Sequence, residues 1–300
     1  MELDELTRAI EASDADWRPG ETSLSGYEIG PETIEVLGYV PGPQEPPLDE
    51  QEERAQAGLE AYMALEAAPP FPPAHDWRDV NGDNFITPIR DQARCGSCVA
   101  FGSCATVEGT HAAEAGQPDP EIDLSEAHLF YCIARAQGRR CGGPDGGWWV
   151  APALQAFEND GVAGEPCYPY VAGDQDCTNL CSDWRSQLTT IGSWQELGSQ
   201  DEMKDWLAGR GPLVATMTVY EDFVRYYRGG IYSYVSGPRA GGHCICIVGY
   251  DDDQQYWIGK NSWGTDWGES GFFRIKYGQC AIDSSMWAVA DIGVPSKQGV

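Results

Sequence analysis

The chain has 300 residues, of which 42% are hydrophobic and 22% are charged, and its formal net charge is −28. This length and apolar content suffice for one globular domain with a sizeable core and an appendage. No apolar run reaches membrane-spanning length, and such strong acidity argues against nucleic acids and anionic membranes. We therefore expect neither a nucleic-acid partner nor a membrane partner.

Residues 1–73 form an acidic region that is interrupted by proline. They carry 17 acidic and 3 basic side chains, so half of the net charge falls on a quarter of the length. Proline-rich stretches lie at 41–47 and 69–73. Between them, the pattern from Asp49 to Ala67 predicts an amphipathic helix. On composition alone, the region could be a disordered acidic tail.

A cysteine stands at the start of the next predicted helix. It ends the run Gln-Ala-Arg-Cys-Gly-Ser-Cys at residues 92–98, and small and apolar residues follow it up to 113. The unpaired backbone N–H groups and the positive dipole end of a helix stabilise a thiolate at this position. Cys98 is therefore a candidate nucleophile.

Further helices and then strands follow along the chain. Helical patterns dominate residues 98–160, notably at 125–130 and 151–159, whereas short apolar runs alternate with turn residues after 211. The predicted strands are Pro212–Tyr220, Ile231–Tyr234, Cys244–Tyr250, Tyr256–Gly259 and Gly271–Tyr277. This separation of helices from strands predicts an α+β fold.

The chain also contains the groups that a thiol-based acyl transfer needs. Such a reaction uses a thiolate, a base, a group that orients the base, and donors for the tetrahedral oxyanion. The residues predicted for these functions are, in order, Cys98, His243, Asn261 and Gln92. A protonated imidazole beside the thiol lowers the thiol pKa and gives a Cys⁻/His⁺ ion pair. We therefore predict a cysteine peptidase that acts on protein or peptide substrates and needs no cofactor.

Three blocks of the sequence resemble the papain-like cysteine peptidases of the cathepsin type. The first runs from Gln92 to Phe101, the second from Gly242 to Tyr250, and the third from Gly259 to Gly268. The order and separation of Cys, His and Asn agree with that family as well. Val99 departs from the pattern, since the family usually has an aromatic residue beside the nucleophile.

The resemblance implies a two-lobed papain-like fold with the active-site cleft between the lobes. The catalytic domain would comprise residues 74–300. Its helical left lobe would take in about residues 92–180. Its β-barrel-like right lobe would take in about residues 74–91 and 181–291, followed by a short C-terminal tail.

The resemblance also distributes the catalytic residues over both lobes. Cys98 and Gln92 would come from the left lobe, and His243 and Asn261 from the right lobe. The active site would then exist only when the lobes dock. Trp263, in the third block, would shield the contact between the asparagine and the histidine.

Residues 1–73 resemble a propeptide, because the sequence from Pro73 to Arg78 is similar to the start of the mature enzymes. Trp17 to Gly20 and Leu37-Gly38 are similar to the short prosegment of cathepsin B-like members. If that holds, residues 37–40 lie across the cleft and block it, and neutralising carboxylates in acid would release them. The alternative is a disordered acidic tail without an inhibitory role.

The 11 cysteines divide by resemblance into three disulfide bonds and five thiols that include Cys98. The implied bonds are Cys95–Cys141, Cys132–Cys177 and Cys167–Cys181. Such bonds imply an oxidising compartment, so we expect secretion or a comparable location. Met1 to Asp4 lacks the features of a signal peptide. Either the signal has been removed, or export uses another route, or the chain is intracellular with fewer bridges; we favour the first.

The resemblance also suggests substrate contacts. Gly146, Gly147 and Trp148 resemble a glycine-rich wall along which substrate backbone pairs, although the tryptophan could equally belong to the core. Ser285 matches the floor of the second subsite, where cathepsin B-like enzymes carry an acid, so we expect an apolar residue at substrate P2. The segment from Cys167 to Cys181 is short and contains no histidine, which in this family favours an endopeptidase.

Three other interpretations compete with this one. Cys95 and Cys98 have the spacing of a zinc ligand pair, but no second pair lies at finger-like spacing, so we expect no metal. An inactive relative could keep the fold as a binding protein, and Val99 leaves room for it. A transpeptidase or other acyltransferase could use the same thiol, because the motif determines the acyl-enzyme and not its acceptor.

Overall fold

The structure is a computed structural model that describes residues 2–65 and 70–295. The α-helices in these residues are α1 (Leu3–Glu11), α2 (Leu48–Met63), α3 (Cys98–Ala115), α4 (Val150–Asn159), α5 (Gln200–Gly209) and α6 (Glu221–Tyr226). The strands are β1 (Asp16–Pro19), β2 (Ala74–Asp76), β3 (Val162–Ala163), β4 (Leu188–Thr189), β5 (Ser193–Leu197), β6 (Leu213–Tyr220), β7 (Tyr227–Tyr232), β8 (Arg239–Asp251), β9 (Tyr256–Lys260), β10 (Phe272–Lys276) and β11 (Met286–Ala290). A π-helical segment spans His128–Ala134.

Within the described residues, nine strands form one large sheet. Their order is β1-β7-β10-β9-β8-β6-β11-β5, and β2 pairs with the last residues of β8. The pairing of β7 with β10 is parallel, and the other pairings in this sheet are antiparallel. The long strand β8 pairs with β6 through its first part and with β9 through its second part. This strand carries His243, which is fully buried.

The predicted strands that correspond to β6, β9 and β10 are confirmed to within one residue at each end, and the one that corresponds to β8 is confirmed in part, because β8 begins at Arg239 and not at Cys244. The bounds predicted for β7, Ile231–Tyr234, were wrong, because the strand spans Tyr227–Tyr232 and includes Gly229 and Gly230. Both glycines have positive φ inside the strand. A Cβ on Gly230 would lie 2.6 Å from the Cα of Trp17, so the missing side chain lets β1 approach.

The central helix α3 begins at Cys98, as predicted, and ends before Gly116, which adopts the left-handed conformation at φ 60°. Small residues let it pack closely. A Cβ on Gly102 would lie 2.9 Å from the sulfur of Cys244 in β8, and a Cβ on Gly109 would lie 2.6 Å from Pro212. The helix therefore presses its first turns against the strand that carries His243.

The other predicted helices are present with altered bounds. The pattern at 151–159 corresponds to α4, and the pattern at 125–130 continues as the π-helical segment. The helix predicted from Asp49 to Ala67 is α2, which ends at Met63; the last two predicted residues lie outside the described residues. No helix in the described parts of the chain is long and apolar enough to cross a membrane.

The acidic N-terminal region is folded onto the rest of the chain over its described residues. Leu6 and Ile10 of α1 are buried, and β1 pairs with β7. The ring of Trp17 lies 5.4 Å from that of Tyr232, and its indole N–H donates to the carbonyl of Ser233 (3.0 Å). The interpretation of this region as a disordered tail is therefore wrong.

Three disulfide bonds join Cys95 to Cys141, Cys132 to Cys177, and Cys167 to Cys181. These are the pairs that the resemblance implies. Because Cys95 is oxidised, it cannot form a zinc-ligand pair with Cys98. The cysteines that are free in the described residues are all buried: Cys98, Cys104, Cys244, Cys246 and Cys280.

Buried apolar side chains form two clusters. The larger one lies among β6 to β10 and takes in Leu6, Trp17 and Leu37 from the N-terminal region. The second one surrounds α3 and α4 and includes Cys98. Trp263 belongs to the first cluster, so the candidate catalytic groups meet where the two clusters adjoin.

Candidate active site

The thiol of Cys98 lies at the amino-terminal end of α3 and is fully buried. Its sulfur accepts a hydrogen bond from the backbone N–H of Cys244 (3.2 Å), the residue after His243. Burial raises the pKa of the thiol well above its ordinary value, and the N–H groups of Cys244 and Val99 act in the opposite direction. The thiol and the candidate base are thus brought to the same place from two elements far apart in sequence.

The imidazole of His243 is held by an amide and an indole. Its Nε2 lies 2.8 Å from Oδ1 of Asn261, and its ring stacks on the ring of Trp263 with centroids 4.6 Å apart. The histidine and asparagine are almost completely buried. Trp263 therefore covers the contact between the two side chains, as the resemblance implies.

The hydrogen bonds of Asn261 define the tautomer of the histidine. Oδ1 also accepts the backbone N–H of Ser262 (2.8 Å), so it is the amide oxygen that faces His243. Nε2 must then carry the proton and donate it. Nδ1 has no hydrogen-bond partner among the described residues, so its lone pair is available to a thiol proton.

Gln92 presents its amide N–H groups to two backbone carbonyls. Its Oε1 accepts the hydroxyl of Ser262 (2.6 Å), which leaves Nε2 as the donor end. That Nε2 donates to the carbonyls of Leu37 (2.7 Å) and Cys95 (2.9 Å). A carbonyl of the N-terminal region therefore occupies the donor end of the Gln92 amide.

Residues 36–40, which we call the cleft segment, cross the site. On one side, the indole N–H of Trp263 donates to the carbonyl of Val36 (2.8 Å). The backbone N–H of Tyr39 donates to the carbonyl of Gly242, directly before the catalytic histidine candidate (3.1 Å). These contacts hold the segment to the right-hand wall of the cleft.

On the opposite wall the cleft segment pairs with Trp148. The N–H of Trp148 donates to the carbonyl of Gly38 (2.7 Å), and its carbonyl accepts the N–H of Val40 (3.0 Å). Gly38 has φ 120°, and a Cβ there would lie 2.3 Å from the backbone of Gly96. A side chain at Gly38 would not fit. The hydrogen bonds to both walls place residues 37–40 across the cleft, where the resemblance predicts them.

Coverage by this segment keeps the acid–base pair neutral. Burial lowers the pKa of His243 to about 4, although the hydrogen bond that its Nε2 donates to Asn261 opposes the shift. Together with the raised pKa of Cys98, this favours the uncharged thiol and imidazole. The Cys⁻/His⁺ ion pair expected from the sequence is therefore not the form that this covered site favours.

Comparisons with known proteins agree with this geometry. The sequence profile described as "Papain family cysteine protease" matches residues 71–290. This chain belongs to the papain family of cysteine proteases. It is 33% identical over 229 residues to "Cathepsin B-like CP2" of Giardia intestinalis, covering 72% of this chain and 73% of that protein. It is 34% identical over 222 residues to "Zingipain-2" of Zingiber officinale, covering 71% and 93%.

Solved structures of the family have the same fold. "ProCathepsin B S9 from Trypanosoma congolense" superposes with a TM-score of 0.72 at 22% identity, covering 98% of this chain and 97% of that chain. "Digestive procathepsin L2 proteinase from Tenebrio molitor larval midgut" gives a TM-score of 0.73 at 22% identity, covering 96% and 89%. The chain therefore has the papain-like fold with mixed helices and sheet, and it is a peptidase.

The glycine wall of this papain-family cleft is held by an arginine that the sequence analysis did not single out. Arg139 donates from Nε to the carbonyl of Gly147 (2.5 Å) and from Nη2 to the carbonyl of Gly146 (3.0 Å). Both carbonyls are engaged by the guanidinium. The cleft segment pairs with the backbone of Trp148, the third residue of the predicted wall, and the assignment of Gly146 and Gly147 to substrate contacts stays a prediction.

The indole of Trp148 has the other role that the sequence left open. It is fully buried in the cluster around α3, and its N–H donates to the side chain of Gln137 (3.1 Å). Ser285 is half-buried directly before β11, and no hydrogen bond joins its side chain to a cleft residue in the described parts of the chain. Its assignment to the second subsite stays a prediction.

Three residues that contribute to the site were not predicted from the sequence. Ser262 orients Gln92, and Tyr39 enters the cleft beside Gly242. The signal for Ser262 was its place in the Asn-Ser-Trp block, whereas the signal for Tyr39 was its position after Leu37-Gly38. Arg139 had none, because its contacts depend on a turn at Gly147 with φ 78°.

Proposed function

We propose that this papain-family peptidase is an endopeptidase that works through a thioester at Cys98. The observation that carries the proposal is the carbonyl of Leu37, which accepts Nε2 of Gln92 at 2.7 Å. A peptide carbonyl of the cleft segment thus lies at the side-chain amide that we expect to bind the oxyanion, in a site that also holds the buried Cys98 thiol and the paired His243 and Asn261. This is the arrangement that acyl transfer needs for its oxyanion.

The chemistry uses these residues in turn. After the cleft opens, Nδ1 of His243 takes the thiol proton, and the Cys98 thiolate attacks the scissile carbonyl. Gln92 and the backbone N–H of Cys98 donate to the oxyanion. The imidazolium then protonates the leaving amine, and water deprotonated by the same ring hydrolyses the thioester and regenerates the thiol. Asn261 keeps Nε2 protonated throughout.

We propose that residues 1–73 are an inhibitory propeptide and that residues 74–300 are the catalytic domain. The support is the cleft segment, in which Tyr39 forms β-bridges with Trp148 on one wall of the cleft and with Gly242 on the other. The three disulfide bonds support folding in an oxidising compartment. The partners would be the propeptide and protein or peptide substrates.

Acid release of the propeptide has support from two ion pairs and opposition from one carboxyl. The ion pairs Arg94–Glu35 (3.4 Å) and Arg239–Asp49 join the propeptide to the rest of the chain at exposed positions, where such pairs are weak. Glu45 opposes release, because burial raises its pKa and the covered form therefore binds its proton more tightly. We infer that acid loosens the periphery of the propeptide and not its centre.

Preference for an apolar P2 residue and for internal bonds completes the proposal. Tyr39 supports the first, since its buried ring lies where a Cβ on Gly242 would contact it at 2.8 Å. The short Cys167–Cys181 loop without histidine supports the second. The test uses protein cut between residues 64 and 73 by an added protease, freed of propeptide.

The enzyme is given fluorogenic peptides with Phe, Leu, Arg or Glu at P2 and a blocked carboxyl end. We expect turnover of the Phe and Leu peptides to exceed that of the Arg and Glu peptides by tenfold or more, and Cys98→Ala to be inactive. Equal rates for all four peptides would remove the P2 preference. Cleavage only of peptides with a free carboxyl end would replace the endopeptidase by a carboxypeptidase.

A further inference from the structure

The helix α2 lies apart from the cleft segment and contacts a different surface of the catalytic domain. Its contact residues recur at intervals of three or four and therefore share one helix face. They are Asp49, Glu52, Gln56, Leu59 and Tyr62. This face is largely polar, which is unusual for a helix that packs on a domain.

The first turns of α2 meet polar groups at the ends of strands. Asp49 forms an ion pair with Arg239, the first residue of β8. Glu52 accepts the hydroxyl of Tyr220 (2.9 Å), the last residue of β6. Both partners belong to the proposed catalytic domain. Arg239 supplies a positive charge and Tyr220 supplies a hydroxyl donor, and both suit the acidic side chains of α2.

The middle of α2 lies on the turn that follows β10. Gln56 donates from Nε2 to the carbonyl of Gly278 (2.5 Å). A Cβ on Gly278 would lie 2.8 Å from the side chain of Leu59. The absence of a side chain at Gly278 thus lets the helix approach the turn closely. Ala55, the residue before Gln56, is completely buried.

The last turn of α2 covers a buried lysine. The ring of Tyr62 lies 3.6 Å from Nζ of Lys204, and its hydroxyl donates to Asp252 (3.1 Å). Lys204 forms an ion pair with Asp252 (2.6 Å), and its side chain has no exposed surface. The ring centroid of Tyr277 lies 4.1 Å from Nζ of Lys204. Removal of α2 would uncover a charged site built for an aromatic residue with a hydroxyl group.

A separate contact connects α2 to the cleft. Gln51, which is buried, donates from Nε2 to the hydroxyl of Tyr39 (3.0 Å) and to the carbonyl of Pro46 (2.8 Å). The Tyr39 hydroxyl donates in turn to Glu45 (2.7 Å). The helix is therefore hydrogen-bonded near its start to Tyr39 of the cleft segment, and at its end to Asp252.

We propose that the surface formed by Tyr220, Arg239, Gly278, Lys204 and Asp252 is a second docking site, which takes an acidic amphipathic helix. Its occupant is α2, which keeps the propeptide bound after the chain has been cut between α2 and β2. The inference rests on the proposed inhibitory role of the propeptide. It adds that retention depends on contacts outside the cleft.

The test measures propeptide release from the nicked full-length protein. The chain is cut between residues 64 and 73 by an added protease and then diluted, and bound propeptide is followed by size-exclusion chromatography while activity is followed with a fluorogenic peptide. In Gln56→Ala/Tyr62→Ala we expect release at least ten times faster than in wild type. Alanine favours helix, so loss of α2 itself is not expected.

The matched control is Glu53→Ala/Glu60→Ala, on the exposed face of the same helix, which should release at the wild-type rate. A second measurement combines Glu52→Gln with Tyr220→Phe. Because the two groups bond to each other, the double variant should release no faster than the faster single variant.

The outcomes separate the two proposals. Wild-type release rates in Gln56→Ala/Tyr62→Ala, or fully additive effects of Glu52→Gln and Tyr220→Phe, would overturn the second docking site. Equal acceleration by the exposed-face control would do so too. Absence of activity once all propeptide has left would instead contradict the proposed peptidase mechanism, and the chromatographic release rates would still decide the docking site.

Discussion

Both ends of the Gln92 side-chain amide form hydrogen bonds, so we expect substitution of this residue to disturb the site. Oε1 is fixed by Ser262, while Nε2 faces the carbonyl of Leu37. A donor fixed in this way needs no reorganisation when negative charge develops on a substrate oxygen. The residue should therefore act on the chemical step more than on substrate binding.

We predict that Gln92→Ala lowers kcat of the released enzyme about 100-fold and changes KM little, because loss of one oxyanion donor costs about 10²–10³ in rate. Steady-state kinetics with a fluorogenic peptide measures both constants. Gln187→Ala serves as control, since that amide contacts Asp183 on a loop. An unchanged kcat in Gln92→Ala would exclude the residue from the oxyanion site.

We expect Arg139 to affect substrate binding through the glycine wall and not to contact the reacting atoms. Its guanidinium holds two successive carbonyls and thereby orients the backbone N–H and C=O of Trp148. We predict that Arg139→Ala raises KM about tenfold, with kcat unchanged, for peptides that have a residue at P2. A substrate without a P2 residue should show no change.

Arg185→Ala is the control for this variant, because that side chain stacks on Trp184 outside the cleft. An Arg139→Lys enzyme should recover part of the loss, since an ammonium supplies the charge but not the planar fork. Equal loss on both substrates in Arg139→Ala would show a general structural defect.

At the level of elements, the cleft segment fits only because its backbone can approach α3. Gly38 combines φ 120° with a Cβ position 2.3 Å from Gly96, so any side chain there would push the segment out. We predict that full-length Gly38→Ala has at least ten times the residual activity of full-length wild type, measured before any shortening of the chain. The amount of intact chain is checked by gel electrophoresis.

Gly26→Ala provides the matched comparison within the same region. A Cβ on Gly26 would meet no atom within 4 Å, and the residue has no positive φ. Its full-length activity should equal that of wild type. If Gly38→Ala were as silent as Gly26→Ala, then the close contact at Gly96 would not be what seats the segment.

The elements that the sequence could predict are those whose information is local. The helix that begins at Cys98 and the later part of the buried strand β8 follow from apolar periodicity and from the run before the cysteine, whereas the part of β8 that carries His243 precedes the predicted strand. The start of β7 could not be predicted, because Gly229-Gly230 acquires its strand conformation by pairing with β1, more than 200 residues earlier in the chain. The wall was missed for a similar reason, since Arg139 matters only once the loop is folded.

Across the whole molecule, burial shifts the pKa values of acidic and basic groups in opposite directions. Burial raises the pKa of Asp283 to about 6 and lowers that of His128 to about 4. The aspartate therefore favours folding in acid and loses this contribution as pH rises from about 4 to about 6. The histidine favours folding above its ordinary pKa and loses its contribution as pH falls toward 4.

We predict that the pH dependence of stability changes in Asp283→Asn. Between pH 5 and pH 7 the wild type should lose about 1 kcal/mol of unfolding free energy relative to the variant, because only the aspartate releases a proton in that range. Urea unfolding at both pH values, in a Cys98→Ala background that prevents self-digestion, measures the difference. Parallel curves for the two proteins would show that Asp283 has no raised pKa.

The most direct test compares the full-length wild type with full-length Cys98→Ala, each kept at mildly acidic pH with a reductant. Chain size and hydrolysis of a fluorogenic peptide with Phe at P2 are followed together. The wild type should shorten toward residues 64–73 and gain activity, while the variant should do neither. Shortening and activity in Cys98→Ala, or persistent inactivity of wild type after the propeptide has been cut away, would contradict a self-processing peptidase that depends on this thiol.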